Sequence, residues 1–334
     1  MSKLVLIAGG STAIYVCLAV LMGVLPGIDQ SRVPAGPGIR PLSALEAEGR
    51  EVYVANGCSY CHTQQVRPLN QDKVFGRPSA PGDFAYQTPE LLGSERTGPD
   101  LTNIGTRQPS EVWQYIHLYN PRSVVPESIM PAFDWLFTVD EAAPAGVSPV
   151  PVPKTYAPAR GVIVPTHEAR ALVAYLASLK QPPIPGYGSA GGMSPMGETA
   201  TAVANNATAA GGASGAGEPA PSGYDATRGR ALFTANCSAC HQASGEGLPG
   251  AFPPLKGSGV VNKDDATKHI HVVLDGLQGA KAGGVVYTST MPPFAAALTD
   301  AEIADIIDYE RSSWGNHGKP VTATQVAAER VQSK

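Results

Sequence analysis

Between Leu4 and Ile28 the chain runs for 25 residues without a charge and is rich in Leu, Val, Ile and Ala. A helix rising about 1.5 Å per residue over such a run crosses a bilayer core of roughly 30 Å, so residues 1–29 are expected to form a membrane anchor. A cleaved signal peptide is the competing reading, but its apolar run is shorter and ends at a small-residue site, whereas Leu25-Pro26-Gly27-Ile28-Asp29 follows here. Past the anchor, helical spacing of apolar positions recurs. Residues 42–57 predict a helix running into Cys58, and residues 166–180 predict a second, with Leu172, Leu176 and Leu179 on one face and Thr166 as N-cap. Residues 225–236 predict a helix running into Cys237, and Thr299-Asp300-Ala301-Glu302 predicts a capping box that opens a helix through Ile303, Ile306, Ile307 and Tyr309. One plan is therefore written twice. Neither copy shows an alternating strand pattern, so the expected fold class is mainly α, with long loops.

Composition separates the two copies. Residues 181–223 are dominated by Gly, Ala, Ser, Pro and Thr, with Glu198 and Glu218 the sole charges and Tyr187 the sole aromatic, which reads as a flexible linker. The expected organisation is an anchor at 1–29, a first domain at 30–180, the linker, and a second domain at 224–334. A second proline-rich stretch, 142–165, is expected on the surface, because prolines remove the donors that a buried backbone needs. With 37 glycines, 31 prolines and 7% aromatics in 334 residues, the packed parts must be small. Domains of that kind gain from a large apolar cofactor. The net charge of −4 is spread evenly and excludes a basic nucleic-acid surface.

Candidate chemistry sits where each first helix ends. Cys58-Ser59-Tyr60-Cys61-His62 and Cys237-Ser238-Ala239-Cys240-His241 place two thiols one helical turn apart with an imidazole next. That spacing suits thioether attachment of one porphyrin, with His62 or His241 as the proximal iron ligand, and so predicts two covalent c-type haems. A zinc ribbon brings its second pair within about 15–20 residues, but Cys61 and Cys237 are far apart. A thioredoxin-like pair needs a βαβ setting, and disulfides do not explain the histidines. Cys17, inside the apolar run, reads as a small apolar residue.

A low-spin carrier needs a sixth ligand, and a soft thioether serves. Setting aside Met1, Met22, Met193 and Met196 in anchor and linker leaves Met130 and Met291, each followed by proline in a segment expected to be a loop ahead of the closing helix. The other histidines, His117, His167, His269, His271 and His317, are expected at the surface or in hydrogen bonds. Between each haem motif and its methionine lies Pro99-Asp100-Leu101 or Pro253-Pro254-Leu255, whose proline carbonyl can hold the second nitrogen of the proximal histidine. An ordinary turn is the alternative there.

These residues resemble a known family. Gly49-Arg50-Glu51-Val52-Tyr53, Gln65-Val66-Arg67-Pro68, Gly93-Ser94-Glu95-Arg96-Thr97-Gly98-Pro99-Asp100-Leu101, His117-Leu118-Tyr119-Asn120-Pro121-Arg122 and Val125-Pro126-Glu127-Ser128-Ile129-Met130-Pro131 resemble the mono-haem cytochrome c subunit of cbb-type haem-copper oxidases over residues 1 to about 137 and again over 166–180. The later region is similar to class I cytochromes c fused to oxidase and quinohaem dehydrogenase subunits, through Gly229-Arg230-Ala231-Leu232-Phe233, Phe252-Pro253-Pro254-Leu255 and Ser313-Trp314-Gly315-Asn316. The family's mono-haem subunit ends after one such domain, so this chain departs by fusion. The resemblance implies two class I cytochrome c domains behind one transmembrane helix, single-pass in a bacterial inner membrane with the haem domains in the periplasm. It implies a soluble periplasmic donor, such as a cytochrome c, and a membrane-embedded catalytic subunit holding haem b and copper within a proton-translocating oxidase. No catalytic residue is expected in this chain. Arg67, Arg96 and Arg122 are candidates for haem carboxylates or for the partner subunit. A cytochrome subunit of a nitric oxide reductase and a free-standing membrane cytochrome are the rival readings.

Overall fold

The computed structural model describes residues 2–93, 95–182 and 225–332. All but the first two residues of the expected linker lie outside that set. Helix α1, Ser2–Ala19, passes through one wide π turn, Val20–Val24, into α2, Leu25–Gln30. Pro26 has no N–H to offer the carbonyl of Met22, and the wide turn, in which the Leu25 N–H bonds to the Val20 carbonyl five residues back, falls at that place. Lys3–Asp29 has a mean hydropathy of 2.3 and buries none of its window against protein, so this helix is long and apolar enough to cross a membrane.

In the first helical body α3, Ala44–Ala55, opens on a capping box: Ser43 Oγ accepts from the Glu46 N–H at 3.3 Å and the Glu46 carboxylate accepts from the Ser43 N–H at 2.7 Å. After the one-turn helices α4, Cys58–Cys61, and α5, Ile104–Arg107, come α6, Glu111–Tyr119, and the closing α7, His167–Ser178, capped by Thr166. Helices α3 and α7 cross at Gly49, where a Cβ would lie 1.9 Å from the Ala171 carbonyl oxygen. Tyr53, one turn on, meets Tyr175 edge to face at 5.7 Å.

The second body repeats this crossing. Helix α8, Ala226–Asn236, leads into α9, Ser238–His241; α10, Thr267–Asp275, α11, Asp300–Ser312, and α12, Ala323–Arg330, follow. A Cβ on Gly229 would lie 2.4 Å from the Asp305 carbonyl oxygen. Phe233, one turn on, packs against Tyr309 at 5.3 Å and Trp314 at 5.1 Å. The Thr299–Glu302 capping box is formed as expected. Because backbone stands in the way of any side chain at these crossings, Gly49→Ala is expected to cost at least about 1–3 kcal/mol of stability. Chemical denaturation measures it, and an unchanged midpoint would mean that the helices do not meet there.

The structure corrects the expectation of no strands. Strands β1, Phe137–Asp140, and β2, Val162–Pro165, pair antiparallel with Phe137 opposite Pro165; β3, Leu277–Ala282, and β4, Val285–Met291, pair with Leu277 opposite Met291. The β3–β4 turn is Gly283-Gly284, with φ of 56° and 81°, the two successive positive values that a tight primed turn demands. About half of the stretch 142–165 is exposed, but Val150 is buried, and its end is β2, where Ile163 and Val164 are buried. The two bodies touch: Leu248, Ala251 and Phe252 of the second join the core cluster that holds Trp113, Ile116 and Val150 of the first.

Candidate haem centres

Helix α3 stops at Ala55, and Gly57, at φ 71°, turns the chain into α4. One helical turn then carries Cys58 and Cys61, and the His62 N–H closes on the Cys58 carbonyl at 3.0 Å. In the second body α8 continues almost directly, and the His241 N–H closes on the Cys237 carbonyl at 2.9 Å. Cysteines three apart on one turn share a face. None of the five cysteines is in a disulfide, and among the described residues no cluster of three or more His, Cys, Asp or Glu could hold a bare metal ion.

Both imidazoles are held alike. The Nδ1–H of His62 donates to the Pro99 carbonyl at 2.8 Å, and that of His241 donates to the Pro253 carbonyl at 3.0 Å. A carbonyl only accepts, so each bond leaves the lone pair on Nε2. Burial lowers the pKa of both histidines, against the opposing pull of the prolyl carbonyls. Gly98 makes room for the first ring, since a Cβ there would lie 2.3 Å from His62 Cε1.

Met130 and Cys58 pack, half-buried, against the same core as Tyr53, Leu101 and Phe133. Met291 packs on the core that buries Cys237, Phe233 and Leu274. Each methionine is thus brought into the body that carries its cysteine pair. Met130 lies in irregular chain, but Met291 is the last residue of β4 and not in the expected loop.

Of the arginines named from the sequence, Arg67 and Arg96 are engaged by a buried carboxylate. Asp72, 2% exposed, accepts from Arg67 Nε at 2.8 Å and from Arg96 Nη1 at 2.9 Å. Burial raises the Asp72 pKa, but the bonds from Arg67 and Arg96 outweigh it and hold the carboxylate at about 2. Arg122 bonds through its backbone N–H to the Asn120 side chain. The residue that sequence reasoning missed is Arg107. It is 3% exposed and lies over the Phe75 ring at 5.1 Å; Nη2 donates to the Asp100 carbonyl, while buried Nε and Nη1 have no partner among the described residues. Burial pushes its pKa down to about 10, so it stays charged at neutral pH. A buried cation with two open donors fits an anionic ligand group such as a porphyrin carboxylate. Oriented imidazoles, paired thiols on one turn and this open guanidinium fit haem c in the first body, and the first two features fit it in the second.

The remaining histidines are placed as follows. His167 bonds to Glu48 at 2.9 Å, His269 to Glu310 at 2.7 Å, and His271 to Asp275 and Glu329, each at 3.0 Å. His317 is exposed. His117 is partly exposed: its ring stacks on Trp113 at 4.5 Å, its Nδ1 has no partner among the described residues, and burial pushes its pKa down to about 3.

Residues 3–146 match the family model of the mono-haem subunit of cytochrome c oxidase (FixO), and residues 226–314 match that of cytochrome c. Among curated relatives the chain is 38% identical over 111 residues to cytochrome c-552 of Thermus thermophilus, covering 30% of this chain and 84% of that protein. It is 36% identical over 110 residues to the cytochrome c subunit of gluconate 2-dehydrogenase of Pantoea cypripedii, covering 32% of this chain and 25% of that one. It is 35% identical over 95 residues to the cytochrome c subunit of the quinone alcohol dehydrogenase of Gluconobacter oxydans, covering 28% and 20%. The chain thus spans a quarter or less of the length of these two dehydrogenase subunits. With its helix-rich fold and a held histidine after each cysteine pair, the chain belongs to the cytochrome c family, joining a region that matches the mono-haem oxidase subunit model to a second cytochrome c domain.

Proposed function

We propose that this chain is the membrane-anchored, di-haem electron-input subunit of a cbb-type terminal oxidase, with its two cytochrome domains in the periplasm. The observation that carries the reading is the repeated pairing of a histidine with a prolyl carbonyl, 2.8 Å in one domain and 3.0 Å in the other, directly after each cysteine pair. Haem c, when bound, supplies reversible one-electron exchange at its iron. Cys58 with Cys61, and Cys237 with Cys240, would hold the porphyrins by thioether bonds. His62 and His241, oriented by Pro99 and Pro253, would offer Nε2 to the iron, and Met130 and Met291 would each offer a thioether as the further ligand. Residues 1–29 anchor the chain, 30–180 and 224–334 form the domains, and 181–223 connects them. The second domain takes electrons from a soluble periplasmic donor, and the first delivers them to a catalytic subunit that holds haem b and copper.

Gentle detergent purification of the complex tests this reading. The expected preparation contains a haem-b subunit, shows c-type and b-type spectra and consumes oxygen. Turnover of nitric oxide and not oxygen, or the absence of any co-purifying haem-b subunit, would overturn the oxidase assignment. Arg107 supplies a finer test. Arg107→Met removes a positive charge beside the first centre, which favours ferric iron, so the midpoint potential of the first domain is expected to fall. The fall is roughly 30–60 mV, about 1 kcal/mol at 59 mV per tenfold change for one electron. A redox titration that finds the potential unchanged separates Arg107 from the haem carboxylate.

A further inference from the structure

The contact between the two cytochrome domains is made by one particular face of the second. Cys240, in the attachment turn, and Leu248, Ala251 and Phe252, in the loop that leads to Pro253, pack against the core of the first domain. Strand β4, which ends in Met291, lies against α6. Every one of these segments borders the second cofactor site, so this domain is seated by its haem-attachment side. On the opposing surface, the Gln108 side chain meets the Cys240 sulphur. That sulphur is a thiol here and stands for the thioether of the attached chain. Close by, a Cβ built on Gly250 would lie 3.9 Å from Pro151 Cβ.

Gln108 directly follows Arg107, the residue assigned above to the first porphyrin's carboxylate. Two consecutive residues thus lie toward both centres, one through a buried guanidinium and the other beside the attachment sulphur. The surrounding side chains are apolar: Leu248 is 6%, Ala251 0% and Phe252 3% exposed. Water is therefore kept out of the contact. In the attachment turn of the first domain, Tyr60 is 68% exposed.

We propose that the face carrying Cys240, Leu248, Ala251 and Phe252, seated on Gln108 and Val150–Pro151, is the junction at which single electrons cross from the second cytochrome domain to the first. One electron leaves ferrous iron in the second domain, which becomes ferric, and reduces ferric iron in the first to ferrous; no proton, leaving group or further reactant is needed. The assignment rests on the two-haem reading given under Proposed function.

The test uses the full membrane-anchored chain, with haem content established first from the spectrum of each variant. A chain with fewer than two haems removes the two-haem reading itself and is recognised at that stage. The pair Pro151→Cys and Gly250→Cys is expected to form a disulfide, because its Cβ separation lies in the bridging range of about 3.5–4.5 Å. The bond is read on a non-reducing gel and by peptide mass. Leu248→Glu buries a carboxylate in the contact, and electron redistribution between the domains after flash reduction is expected to slow roughly tenfold or more, because a contact held by tethering weakens without release of the tether. Adding the cysteine pair to Leu248→Glu is expected to restore the rate. Absence of the disulfide overturns the docking. A disulfide with no slowing in Leu248→Glu overturns the electron junction, as does slowing that the disulfide does not rescue.

Discussion

A chain carrying Cys58→Ser and Cys61→Ser is expected to retain one haem where the parent holds two, and to lose the cooperative unfolding of its first domain. The reason lies in how little else closes that core. Met130, Cys58, Leu101 and Phe133 join Tyr53 of α3 in one core from irregular segments and a one-turn helix, and the principal long helical contact is the crossing of α3 and α7. A porphyrin burying several hundred Å² contributes on the order of 10 kcal/mol at about 25 cal/mol per Å². A whole domain is stable by only about 5–15 kcal/mol, so losing the cofactor removes most or all of the margin. Arg107 adds to the deficit, since it keeps two buried nitrogens without a partner among the described residues, which the cofactor would satisfy. Intact mass and haem staining after denaturation count the haems, and thermal melting followed by helical signal shows whether one transition has vanished. Two haems in the variant, or an undiminished first transition, would contradict the assignment of these cysteines. The matching variant at Cys237 and Cys240 is expected to spare the first domain.

What the sequence declares locally, the structure realises. Thr299 with Glu302 is a capping box because both partners lie within one turn, and Thr166 caps α7 by the same short-range geometry. The cysteine pairs are legible for the same reason. The proline carbonyls that hold His62 and His241 are 37 and 12 residues away, but the Pro-x-Leu element repeats, and repetition makes it visible. Other features leave a weaker trace. Strand β2 pairs with a strand more than twenty residues earlier, so no tight turn announces it. Strands β3 and β4 do carry such a signal in Gly283-Gly284, but Leu277–Ala282 does not alternate cleanly between apolar and polar. Arg107 looks like any basic residue at a helix end, where it would suit the dipole; its significance lies in burial, which depends on what packs over it from Phe75 and Asp100. Docking of the second domain is the extreme case. Gly250 and Pro151 meet across about a hundred residues of chain, and neither residue type advertises a contact.

Replacing Met130 by histidine is expected to lower the midpoint potential of the first domain by more than about 100 mV while leaving the second nearly unchanged; axial ligand identity tunes haem potentials over roughly 0.8 V. A thioether is soft and favours ferrous iron, whereas an imidazole donates more strongly to ferric iron. The local chain tolerates the exchange. Met130 is half-buried in an irregular stretch whose backbone N–H bonds to Ser128 Oγ at 3.3 Å, and Phe133 pins the following residues to the α6 carbonyl of Leu118 at 2.9 Å. The segment is therefore anchored on both sides of the ligand without depending on the side chain itself. At 59 mV per tenfold change for one electron, a fall of 100 mV shifts the electron's equilibrium distribution about fifty-fold toward the second domain. In the intact complex the second domain then stays reduced under donor while delivery to the catalytic subunit slows, and a spectroelectrochemical titration resolves the two transitions. Met291→His is expected to do the reverse, lowering the second domain and hastening its re-oxidation by the first. An unmoved potential in either variant would mean that the methionine is packing rather than a ligand, because a core side chain changed at that position alters stability and leaves the iron's electron affinity nearly as it was.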